Sequence, residues 1–128
     1  MKIAVVILNF NGWRDTVKCL AALKEQTYKN FEIYLIDNGS ADESVEELSK
    51  IKMKNLHFRK EKKNTGFTGG VNIGIKWAMK NGFDAIALLN NDAKAEPEWL
   101  ENLVKPFEKS PEIGAVTSLM LDKTGKFI

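Results

Sequence analysis

Apolar positions along the 128-residue chain follow two alternating rhythms. Ile3–Leu8 and Phe31–Asp37 are compact apolar runs rich in β-branched and aromatic residues, the composition of central strands in a parallel sheet. Between them, Val17, Leu20 and Ala21 fall at i, i+3 and i+4, and Leu23 widens the face, so the spacing predicts a helix from about Arg14 to Gln26. Ser40 followed by Glu43 is a capping-box pattern, which predicts that a second helix begins there, with Val45, Leu48 and Ile51 as its apolar stripe. Leu56–Arg59 reads as a short third strand. Val71, Ile75, Ala78 and Met79 predict a helix over Gly70–Asn81, ended by Asn81-Gly82. Ala85–Asp92 is an apolar strand, buried on both faces, that runs into amides and one carboxylate. Pro97 suits the first turn of a fourth helix lined by Leu100, Leu103, Val104 and Phe107. Ile113–Leu121 predicts a fifth strand, and Asp122-Lys123-Thr124-Gly125 the turn of a hairpin.

Strands that alternate with helices across short connections imply right-handed crossovers and a parallel sheet covered on both faces. The expected fold class is therefore α/β, a doubly wound three-layer sandwich. Ligands of such sheets bind at the carboxyl ends of the strands. The length fits one domain, and the 44% hydrophobic and 28% charged content is that of an ordinary globular protein. No apolar run reaches membrane-spanning length, and Met1-Lys2 leads straight into a strand, so a cytoplasmic location is expected. Cys19 is the single cysteine, which excludes an internal disulfide and a multi-cysteine metal site. The net charge of +2 does not argue for nucleic acid. Lys50, Lys52, Lys54, Arg59, Lys60, Lys62 and Lys63 nevertheless concentrate positive charge. That stretch reads as a solvated face or as an attraction to phosphate or a membrane surface, and its few aromatics argue against a single-strand nucleic-acid platform.

Four polar segments sit at predicted strand ends or helix starts. Asn9-Phe10-Asn11-Gly12 is neither a dinucleotide-binding glycine pattern nor a P-loop. It reads as an Asx turn or as a seat for a base, with the aromatic against the ring and the amides on its polar edge. In Asp37-Asn38-Gly39-Ser40, Asp37 could accept the ring N–H of a uracil or thymine, or could serve the turn. Asn64–Gly74 carries glycines where a helix begins, either as turn formers or to bring backbone N–H groups close to an anion. Asn90-Asn91-Asp92 offers one carboxylate, which suffices for a divalent cation when a diphosphate supplies further oxygens, or is a helix-initiating turn.

Taken in order, these segments resemble the family 2 glycosyltransferases with the GT-A fold, and most closely their rhamnosyltransferase-like branch. The resemblance spans nearly the whole chain. Ile3–Gly12 is similar to the family's apolar strand and aromatic-Asn pair, with Phe10 where tyrosine is commoner. Ile36–Ser44 resembles its Asp-Asn-Gly-Ser-x-Asp-x-Ser segment, Asn64–Gly74 its N-x-G-F-x-G-G-x-N-x-G loop, and Leu88–Asp92 with Pro97 its metal motif and following helix. The family's metal motif is often Asp-x-Asp, whereas Asn90 is neutral here.

The resemblance implies a GT-A, Rossmann-like sandwich with a mostly parallel sheet. Residues 1–128 would be its nucleotide-sugar-binding part, with the acceptor-binding half and the catalytic base expected beyond Ile128. It implies inverting transfer from a UDP- or dTDP-sugar to an acceptor hydroxyl, saccharide or lipid-linked, in polysaccharide or cell-envelope synthesis. The donor would contact Asn9, Phe10, Asn11, Asp37, Asn64, Gly66, Gly70, Asn72, Asn90 and Asn91, and Asp92 would hold Mg²⁺ or Mn²⁺. Peripheral association with the cytoplasmic face of a membrane and homo-oligomerisation through a free sheet edge are compatible with this reading. Two other readings stay open: a sugar-nucleotide-binding module without turnover, and a sugar nucleotidyltransferase. The latter lacks its usual Lys/Arg-bearing glycine loop after the first strand.

Overall fold

A computed structural model describes all 128 residues. The elements in chain order are β1 (Ile3–Asn9), α1 (Trp13–Lys24), β2 (Phe31–Asp37), α2 (Ser44–Ser49), β3 (Leu56–Lys60), α3 (Gly66–Lys80), β4 (Ala85–Asn90) and α4 (Trp99–Lys109). The strands form one four-stranded sheet in the order β3-β2-β1-β4, all parallel. Chain order reverses between β1 and β4, so the topological switch point lies at their carboxyl ends.

Alternation along β1 builds two apolar layers. Ile3, Val5 and Ile7 face one side with Ile33 and Leu35 of β2, against Cys19, Leu20 and Leu23 of α1, Leu48 of α2, and Leu100 and Val104 of α4. Val6, Tyr34 and Ile36 face the other side, against Ile73 and Trp77 of α3. Trp77 stacks on Tyr34 with ring centroids 4.3 Å apart and tilts against Phe83 at 4.9 Å. The α/β/α sandwich expected from the pattern is present. It closes against α3 through two glycines: a Cβ at Gly74 would overlap the methyls of Val6, and one at Gly70 those of Leu8. Buried Gln26 joins the end of α1 to α4 within one helical layer, donating Nε2 to the Glu96 carbonyl (2.7 Å) and accepting the free Leu100 N–H of α4 (3.0 Å).

Several local expectations are corrected. The buried stripe of α1 is Thr16, Cys19, Leu20 and Leu23, while Val17 and Ala21 are exposed. The observed face gathers Cys19, Leu20 and Leu23, whereas the expected one would bring Lys24 inward at i+7. Helix α2 begins at Ser44, not Ser40, and no capping box forms: the Ser40 N–H and hydroxyl both go to Asp37. Helix α3 begins at Gly66, one turn before Gly70, and Met79 projects into solvent. Pro97 precedes α4 instead of entering its first turn. β4 is an edge strand with Leu88 half-exposed, not a strand buried on both faces. No fifth strand forms over 113–121, because that segment reaches no strand edge and makes only the single antiparallel bridge Leu121–Phe127. The turn between them does form: Asp122 Oδ1 accepts from Thr124 N (2.8 Å) and Lys126 N (3.0 Å).

Gly74→Ala should destabilise the chain by about 1–3 kcal/mol through overpacking against Val6, read from urea denaturation; Gly82→Ala, where a Cβ meets open space but φ is +71°, provides a contrast in which only backbone strain acts. A second expectation concerns Glu32, whose carboxyl is held below its ordinary 4.5, chiefly by the hydrogen bond from Lys2 and further by His57. A depressed folded-state pKa adds stability above the unfolded value and loses it as pH falls through the folded one. The stability difference between the wild type and Glu32→Gln should therefore be fully developed above about pH 5 and shrink on acidification below the ordinary carboxylate range.

Candidate functional site

Parallel register aligns the polar strand ends. Asn9 pairs with Asp37, Leu8 with Asn90, and Asp37 with Lys60, so the amides and carboxylate that follow each apolar run meet at one end of the sheet. Asn9 and Asp37 have no exposed surface. A carboxylate so placed requires donors, and three reach it. Oδ1 accepts from Asn9 Nδ2 (2.8 Å) and Ser40 Oγ (2.6 Å), and Oδ2 accepts from Ser40 N (3.0 Å).

The contacts continue on both sides. Asn9 Oδ1 accepts from Thr16 Oγ1 at 2.7 Å, and the same hydroxyl accepts from Asn91 Nδ2 at 3.1 Å. Asn11, in the left-handed region at φ +49°, donates its N–H to Ser40 Oγ (2.9 Å) and accepts from Ala41 N (2.8 Å). Buried Asn38 reaches the start of α3: its Nδ2 donates to Asn64 Oδ1 (3.0 Å) and the Gly66 carbonyl (3.1 Å), and its Oδ1 accepts from Thr65 N (3.1 Å). Gly39, at φ +76°, lies directly against the backbone of Lys63 and Asn64, where no side chain fits.

At the switch point a cleft of about 180 Å³ opens, lined by Leu8, Phe10, Phe67, Leu88, Asn90 and Asn91. Phe10 and Phe67 stand 48% and 62% exposed on its rim, so a large apolar surface is available to whatever enters. Asp92 is exposed just beyond it. The thiol of Cys19, buried beneath this end and 3.7 Å from the Asn90 carbonyl, is pushed up to about 11 by burial and, second, by the Asp92 charge. A larger cleft of about 360 Å³, bordered by Lys24, Lys29, Lys52 and Lys54, opens at the amino end of β2, remote from these groups.

The sequence-derived residues thus fall into distinct places. Asn9, Asn11 and Asp37 form one hydrogen-bonded unit, Asn91 joins it through Thr16, and Asn64 and Gly66 join β2 through Asn38. Phe10 and Asn90 line the cleft. Asn72 is exposed on α3. Gly70 faces the sheet, where packing on Leu8 by itself calls for glycine. Thr16, Asn38 and Ser40 join the site although the sequence pattern gives them no site role. Asn38 and Ser40 look like ordinary turn residues, and the only trace of Thr16 is a polar position on the buried stripe of α1. No three His, Cys, Asp or Glu side chains converge, so any cation here would rest on Asp92 and on oxygens from a ligand.

The profile of the family described as "Glycosyl transferase family 2" matches residues 4–127. An uncharacterized glycosyltransferase of Haemophilus influenzae is 31% identical over 121 residues, covering 92% of this chain and 36% of that protein. A glucosyl-dolichyl phosphate glucuronosyltransferase of Haloferax volcanii is 28% identical over 126 residues, covering 91% of this chain and 37% of that protein. The chain thus spans little more than a third of either relative. Among solved structures, the mannosyltransferase PcManGT of Pyrobaculum calidifontis, in complex with GDP-Man and Mn²⁺, shares the fold with a TM-score of 0.81 at 21% identity, over 94% of this chain and 36% of that one. S. aureus TarS in complex with UDP-GlcNAc does so with a TM-score of 0.75 at 19% identity, over 93% of this chain and 38% of that one.

Asn9→Ala removes a donor from a buried carboxylate without adding volume at a fully buried position. It should lower stability by about 1.5–3 kcal/mol in urea denaturation; a loss within about 0.5 kcal/mol, as for an indifferent surface change, would show that the Asn9–Asp37 contact organises nothing.

Proposed function

Because the chain belongs to glycosyl transferase family 2, we propose that residues 1–128 are the donor-binding part of an inverting glycosyltransferase. It takes a UDP- or dTDP-sugar and passes the sugar to an acceptor hydroxyl in polysaccharide or cell-envelope synthesis. One observation carries this reading: Asn9, Asp37 and Asn90–Asp92 converge at the topological switch point, beside an open cleft rimmed by Phe10. The nucleotide sugars named for PcManGT and TarS belong to those proteins, and their shared fold supports the same class of ligand here.

In this reading each group has a chemical task. Phe10 packs on the base while Asn9 and Asn11 hold the loop that presents it. Asp37 accepts the base N–H through Oδ2, which the Ser40 N–H alone occupies; since Asp37 is sealed in the free chain, the Gly39–Asp42 turn yields as the base enters. The first turn of α3 faces the phosphates with the backbone N–H groups that follow Gly66, since those of Thr65 and Gly66 go to Asn38 and Asn64. Asp92, with water and the donor's own phosphates, is a sufficient donor set for Mg²⁺ or Mn²⁺, and Asn90 and Asn91 flank it as amides. Such an ion, when bound, offsets the negative charge that builds on the leaving diphosphate. The amide at Asn90 in place of a first carboxylate favours the rhamnosyltransferase-like branch. The saccharide or lipid-linked acceptor and the general base belong to the portion by which relatives exceed this chain. The lysines between Lys50 and Lys63 suit a site of action at the cytoplasmic face of a membrane.

The test is a thermal-shift panel of UDP, dTDP and GDP, each with and without Mn²⁺. Uridine or thymidine diphosphate should raise Tm most, and Mn²⁺ should add to that shift. Asp92→Asn should abolish the Mn²⁺-dependent increment while keeping the metal-free shift. An undiminished increment in Asp92→Asn removes the cation from that residue, and indifference to every diphosphate removes the donor-binding assignment.

A further inference from the structure

Thr16 carries no part of any motif read from the chain, yet its hydroxyl stands between the two ends of the site. It has no exposed surface and lies on the first turn of α1, directly under the carboxyl ends of β1 and β4. A hydroxyl has one proton to donate and lone pairs to accept with. The proton goes to Asn9 Oδ1 at 2.7 Å, since the competing Gly12 carbonyl is at 3.3 Å. A lone pair accepts from Asn91 Nδ2 at 3.1 Å. Each contact decides an orientation. With its oxygen held by Thr16, the Asn9 carboxamide can turn only its Nδ2 toward Asp37, 2.8 Å away; reversed, it would set oxygen against carboxylate. With its Nδ2 held by Thr16 and, at 3.4 Å, by the Gly12 carbonyl, Asn91 fixes the backbone that carries Asp92.

We propose that Thr16 is a positioning residue whose single hydroxyl sets Asn9 beneath Asp37 and Asn91 beside Asp92, coupling the base-binding and cation-binding ends of the site through one hydrogen-bond chain. This rests on the donor-binding reading above. Apolar packing at this position would be met equally by valine, which matches threonine in shape; the hydroxyl is required only by the two amides. On the buried face of α1, Thr16 is the one hydroxyl beside Cys19, Leu20 and Leu23.

Thr16→Val and Thr16→Ser in the full chain separate positioning from packing. Calorimetry should show Thr16→Val binding UDP about tenfold more weakly both in the presence and in the absence of Mn²⁺, the scale seen when the outer partner of a metal-site residue is lost. Thr16→Ser should restore both affinities toward the wild type even if its Tm is lower, because it loses only a methyl. A Val variant with reduced Tm but unchanged affinities overturns the proposal and leaves Thr16 as core. The ligand-free chain gives a second, independent reading by NMR. The side-chain amide signals of Asn9 and Asn91 should both move in Thr16→Val and both return in Thr16→Ser; movement of neither, or of one alone, overturns the coupling. If the wild type binds UDP neither with nor without Mn²⁺, the donor-binding reading fails while the amide signals still decide the role of Thr16. Should Thr16→Val not fold, Asn91→Ala at the half-exposed end serves instead: the chain predicts that the Asn9 amide moves, and a fixed Asn9 signal refutes it.

Discussion

The carboxylate of Asp37, closed off from water at the end of β2, is the constraint from which the rest of the site follows. A buried charge left without donors costs several kcal/mol, so a chain that folds around one must deliver hydrogen bonds to it. Asn9 comes from the neighbouring strand, which pins the β1–β2 register at its polar end. Ser40 contributes a hydroxyl and an N–H, which draws the turn after β2 back over the carboxylate and delays α2 until Ser44. Asn9 in turn needs a donor for its oxygen, and Thr16 provides it only if α1 presents that face to the sheet. One buried charge thereby ties together a register, a turn and the first turn of α1.

On the other face of the sheet the constraint is steric. Gly70 and Gly74 let α3 settle on Leu8 and Val6, and Asn38 binds the loop ahead of that helix to the end of β2. Both faces therefore converge on the same end of β1, where the chain order reverses and a cleft opens. The cleft is lined mostly by apolar side chains, with Asn90 and Asn91 among them, while the amides and hydroxyls around Asp37 lie buried beside it.

Legibility in the sequence tracked the range of the physics. Strands β1 and β2 were readable nearly to the residue because burial on both faces leaves a continuous apolar run. The polar strand ends were readable as candidates because amides and carboxylates that interrupt such runs have few other reasons to be there. β4 was placed correctly along the chain but not across the sheet, since an apolar run reports that a strand is buried and not which neighbour covers it. The segment 113–121 had the composition of a strand and reached no edge to pair with, so its pattern found no expression. Helix starts at Ser40 and Gly70 were misjudged because Ser40 was claimed by Asp37 and the glycines before Gly70 proved helical.

The alternation of strands and helices, the three-layer class and the four polar segments from which a site could be made are all written in the chain, because each depends on periodicity and residue type over a few neighbouring positions. That Asn9 and Asp37 serve each other in the interior, that Gly70 and Gly74 answer to Leu8 and Val6, and that Thr16, silent in the pattern, joins Asn9 to Asn91 emerges only from the folded arrangement. Those relations span tens of residues and turn on which atom of an amide faces which neighbour, and no property of either residue taken along the chain encodes that choice.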